Sequence, residues 1–230
     1  MRRSLATLAS LAIFPLAAAA SGTSLASLSN PDAVAGLKEA LVQASGKAVS
    51  QLGQPGGFLD DAKVKIPLPD PIRRVDAGLR LAGMGDQADE LQVRINRAAE
   101  MAVKEATPIL TDSVKKMSVQ DAKGILTGGD DAATQYFRRA TSSQLTERFL
   151  PIVKQETSKL QLGVDYKTLV GQAVMLGLVK PQDADLDSYV TRKALDGLFL
   201  VIGDQERAIR KDPVGAATGM ASKVFGMLGK

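Results

Sequence analysis

Apolar residues recur at helical spacing along nearly all of this chain, and the signal runs longest from Leu91. Stepping 100° per residue collects Leu91, Ile95, Ala98, Ala102, Ala106 and Ile109 on one face. Ala98, Ala99, Ala102 and Ala106 keep that region small, so a partner helix can approach toward the short end of the roughly 8–10 Å interaxial range. A helix of this kind belongs inside a bundle. The opposite face carries Asn96, Arg97, Glu100 and Lys104, with Val93 and Val103 among them. Were that face solvated, Glu100 and Lys104 would form an i,i+4 pair of about 0.2–0.5 kcal/mol. The two valines predict instead that a second layer covers it, with the helix of Tyr136 as the candidate. Glu100 then needs a cation, from Arg97, Arg138 or Arg210. Pro108 predicts a kink or restart of the helix.

Punctuation follows Met117. Ser118 with Asp121 three residues on has the form of a capping box. Its short helix runs through Ile125 and Leu126 and is expected to stop at Gly128-Gly129, which can supply a left-handed end. Asp130 is expected to cap the next helix, with Asp131 placed against its dipole.

Elsewhere the pattern also predicts helices. Asn30-Pro31-Asp32 starts one that carries Val34, Leu37, Leu41, Ala44, Ala48 and Leu52 to Gly53. Asp70-Pro71 opens another, with Ile72, Val75, Leu79 and Ala82 inward, closing at Gly83 and Gly85. Ala140 to Leu162 contains Leu145, Phe149, Ile152 and Val153, with an interruption expected at Pro151. Asp165 to Val179, Asp185 to Arg210 and Pro213 to Leu228 complete the set. The exception is QPGGFLDDAKVKIPLPDP, where Val64, Ile66 and Leu68 alternate with Lys63, Lys65 and Pro67. Its prolines forbid a central strand. An extended arm lying across the helices, anchored by Phe58, is expected. The fold class is therefore all-α: a single-domain multi-helix bundle over residues 31–230 with one extended, proline-containing arm.

Residues 1–20 have the form of a secretory signal peptide, with Arg2-Arg3, an apolar run from Leu5 to Leu16, and small residues at Ala17 to Ala20. The run is short of the ~20 residues of a membrane span. Residues 21–30 form a polar linker. A periplasmic location is expected, with no transmembrane segment after the signal.

Composition narrows the chemistry. The chain has no Cys and no His, which excludes disulfides, thiolate nucleophiles, Ser-His-Asp triads and the usual zinc and haem ligand sets. Twenty-nine basic against 25 acidic side chains give +4; without Arg2 and Arg3 the balance is 27 against 25, or +2. With no basic run, nucleic acid is not an expected partner. Aromatic residues are 4% and Trp is absent, so the core must be aliphatic.

Short motifs add little. Ser113-Val114-Lys115-Lys116 matches S-x-x-K, but no K-T-G accompanies it. Gly83-Met84-Gly85 does not continue to a dinucleotide fingerprint, and Gly215 with Gly219 marks close helix packing. Asp130-Asp131 lacks the D-x-[DN]-x-[DN]-G spacing of a calcium loop. No metal or cofactor is expected. Glycoside hydrolysis needs two acids facing one cleft, and Glu100 with Asp131 is the conceivable pair, though no catalytic residue is assigned.

Several segments together resemble one family. INRAAE (95–100), GILTGGDDAATQYF (124–137), FLPIV (149–153), YVTRKALDGLF (189–199), the E-x-x-IRKDP run from Glu206 to Pro213, VFG (224–226) and the arm GGFLDDAKVKIPLP (56–69) are similar to the bacterial domain of unknown function 4197. The resemblance implies an exported helical protein of Gram-negative bacteria and carries over no catalytic residue. Asn96, Arg97, Glu100, Asp131, Tyr136 and Arg210 are polar positions within these apolar signatures. They are the candidate ligand-binding residues, with a structural hydrogen-bond network as the competing reading. The expected function is that of a non-enzymatic periplasmic binding or interaction module, whose partner is a small apolar ligand or an envelope protein. A carboxylate-dependent hydrolase of a cell-envelope polymer and a structural scaffold are the alternatives.

Overall fold

In a computed structural model of the protein, residues 30–159 and 185–212 are described, apart from Ala82 and Met84. Among the described residues seven helices and no strands are found, in the order α1 (Asn30–Leu52), α2 (Asp70–Leu81), α3 (Gly85–Val103), α4 (Ala106–Lys116), α5 (Val119–Leu126), α6 (Ala132–Thr157) and α7 (Leu186–Lys211). The signal peptide expected at 1–20, the expected linker apart from Asn30, and the helices expected at 165–179 and 213–228 lie outside the described residues, as do the side chains of Val75, Leu79 and Ala82.

The alanine stripe explains the layout. Ala98, Ala99 and Ala102 are fully buried, and α3, α6 and α7 each pack on the other two. On the other side, α1 closes against α7, α4 and α5, while α2 lies on α3. One continuous hydrophobic cluster joins these helices. Its largest fully buried members are Phe58, Phe137, Phe149 and Phe199, each contributing about 1.5–3 kcal/mol of burial. The α1 stripe of Leu37, Leu41, Ala44, Ala48 and Leu52 is buried as its spacing predicts, while Val34 at its start is only partly buried. No helix among the described residues is long and apolar enough to cross a membrane.

The arm between α1 and α2 follows its alternation. Val64, Ile66 and Leu68 point inward and Lys63, Lys65 and Pro67 outward, with Phe58 fully buried as its anchor. The loop before it makes two backbone demands. Gly56 has φ 89°, and a Cβ at Gly57 would lie 2.4 Å from the Leu52 carbonyl oxygen.

Several boundaries differ from the sequence expectation. The central helix breaks at 104–105, and Pro108 falls in the first turn of α4, where its missing N–H costs no intrahelical bond. Pro151 does not interrupt α6, which runs unbroken from Ala132 to Thr157. The Ser118–Asp121 capping box is present, with Asp121 N–H donating to Ser118 Oγ at 3.1 Å and Ser118 N–H to Asp121 Oδ2 at 3.1 Å. Gly128 and Gly129 do not adopt positive φ; among the described residues only Gly56 and Gly83 do. Gly128 is needed for space instead, since a Cβ there would sit 2.6 Å from the Gly124 carbonyl oxygen and 2.7 Å from Ala132 Cβ.

Candidate functional site

The polar face of α3 is covered by the arm and its preceding loop, not by the helix of Tyr136. Glu100 is 3% exposed. Its Oε1 accepts from the backbone amides of Gly56, Phe58 and Leu59 at 3.1, 3.2 and 3.3 Å. Its Oε2 accepts from Arg97 Nη1 at 2.6 Å. The cation is therefore Arg97, three residues back, and not Lys104. The loop wraps the carboxylate with donors as an anion-binding nest would, and Gly56 and Gly57 allow the close approach.

One turn earlier, Asn96 is fully buried. Its Oδ1 accepts from Ile66 N–H at 2.8 Å, and its Nδ2 donates to Ile66 O at 2.9 Å and Gln92 O at 2.8 Å. The side-chain amide thus meets the arm as a neighbouring strand's peptide group would. Gln92 Nε2 also donates to Ile66 O, and Tyr189 Oη donates to Pro67 O at 3.0 Å.

A second buried carboxylate escaped the sequence reading. Glu206 on α7 is 5% exposed. Its Oε1 accepts from Ala133 N–H at 3.0 Å, and its Oε2 from Thr134 N–H at 2.9 Å and Thr134 Oγ1 at 2.8 Å. Arg210 Nε and Nη2 reach Oε1 at 3.2 and 2.9 Å, and Nη2 also donates to Ile125 O at 3.0 Å. Glu206 thereby supplies the N-terminal cap of α6 from another helix. Asp130 does not play that part: Asp131 holds the cap position, without a side-chain capping bond. Glu206 could have been suspected, because Ile202, Glu206 and Ile209 place a charge within one apolar stripe.

The six candidate residues fall in separate places. Asn96, Arg97 and Glu100 hold the arm, while Arg210 joins Glu206 at the start of α6. Asp131 is exposed and accepts from Gln135 Nε2 at 3.1 Å. Tyr136 Oη donates to Ser113 O at 2.8 Å. Burial raises its phenol pKa above the ordinary value, with the Asp121 charge adding. Glu100 and Asp131 thus face different surroundings and do not make a hydrolytic pair. In the S-x-x-K segment, Ser113 Oγ bonds Leu110 O and Lys116 pairs with Asp112. Among the described residues no three acidic side chains gather as a metal site would require.

A small pocket opens beside Glu206, lined by Ala40, Leu41, Ala44, Ala133, Ile202 and Ile209. Its water-accessible space is about 10 Å³, close to that of a single water. Glu206 has already filled its roughly four acceptor directions, so the pocket presents an apolar wall.

A family profile described as "Protein of unknown function (DUF4197)" matches residues 27–226. The chain belongs to the DUF4197 family. The match takes in both buried glutamates, the arm and all seven described helices. No curated protein matches the chain, and no solved structure does.

Proposed function

We propose that this DUF4197 protein is a non-enzymatic binding or interaction module of the periplasm, with a small apolar ligand or another envelope protein as its partner. The observation that carries this reading is the use made of its two buried carboxylates. Glu100 accepts four hydrogen bonds and Glu206 five, all from the protein itself. A general acid or base must offer a lone pair or proton within reach of substrate, and these oxygens are already engaged. The carboxylate-hydrolase alternative therefore finds little support in them. Export is supported by Arg2-Arg3, the apolar run and the alanines before Ser21.

Two measurements test the proposal. In the native host, the protein should fractionate with the periplasm and begin between Ala18 and Thr23; an intact Met1 in the cytoplasm overturns the location. Incubated with purified cell-envelope polymer, it should release no soluble fragments. Release that disappears in Glu100→Gln or Glu206→Gln variants that remain folded would establish the hydrolase instead.

A further inference from the structure

We draw no further inference here: the strongest candidate, the hydroxyl of Thr191, buried on α7 with no hydrogen-bond partner, is not part of the lining of the pocket beside Glu206, and by itself a single hydroxyl points to no class of ligand.

Discussion

Truncating Glu100 to Ala should be among the most damaging single changes in this protein. It orphans the amides of Gly56, Phe58 and Leu59, the first two buried and the third partly so. An unsatisfied buried donor costs roughly 1–3 kcal/mol, and the Leu59 amide can recover water. Arg97, 41% exposed at its side chain, returns to solvent at little cost. The expected loss is therefore about 3–5 kcal/mol, the range for breaking a buried charged pair. For a domain of this size that lowers Tm by about 6–20 °C. Glu100→Gln keeps an acceptor at the nest and should lose about 1–2 kcal/mol, since only the charge-assisted part goes. Arg97→Ala leaves the buried carboxylate with its three amide donors but without its cation, and should lose about 1–3 kcal/mol. Urea unfolding followed by circular dichroism at 222 nm, compared at constant m, measures all three. The diagnostic result is that Glu100→Ala loses more than either Glu100→Gln or Arg97→Ala. An alanine variant within about 1 kcal/mol of wild type would refute the account of the loop as a nest closed by this carboxylate.

Other expectations follow from the same contacts. Glu206→Ala should destabilise by about 3–5 kcal/mol and raise hydrogen exchange at the first turn of α6, which would otherwise stay protected. Two glycines should respond to alanine with opposite sign in the same urea assay. Gly46 has nothing within 4 Å of a new Cβ, so Gly46→Ala should stabilise α1 by about 0.5–1 kcal/mol. At Gly197 the Cβ would lie 2.7 Å from the ring of fully buried Phe58, so overpacking should cost about 1–3 kcal/mol. For the capping box, hydrogen bonds from the Ser118 side chain and backbone hold the Asp121 pKa below its ordinary 3.8. A depressed carboxylate stabilises the fold above the unfolded pKa and loses that contribution as pH falls through the folded one. Ser118→Ala should accordingly destabilise near neutral pH, and its deficit should shrink as pH drops below about 3.8. A deficit independent of pH would contradict the pairing.

What could be read from sequence was what local rules determine. Leu91 to Ala106 gave the buried alanine stripe because helical period and residue size are local properties. Ser118 and Asp121 gave a cap because both partners lie within one turn. The alternation at Val64, Ile66 and Leu68 announced the arm. The misreadings share a cause, namely partners far away along the chain. The cap of α6 comes from Glu206, more than seventy residues downstream, whereas local rules proposed Asp130. The cover over Glu100 comes from amides 41–44 residues upstream, which no periodicity indicates. Gly128 is required by proximity to Ala132 Cβ, a constraint invisible to turn preferences. Val103 did signal that the polar face of α3 is enclosed, being fully buried, although Val93 remains 41% exposed.

The distant cap of α6 also bears on the order in which the chain can mature. A ribosome delivers residues from the N-terminus at about 5–20 per second, and Ala133 and Thr134 emerge well before Glu206. During that interval the first turn of α6 has no internal acceptor for its amides, and Arg210 has not yet arrived to take the Ile125 carbonyl. Closing a loop of this length carries an entropic cost before any contact rewards it. The bundle is therefore completed from its downstream end: the centre formed by α3, α6 and α7 can close only after α7 has been made. A nascent chain stopped short of residue 206 should remain sensitive to protease across α6, and one extended past Arg210 should become resistant.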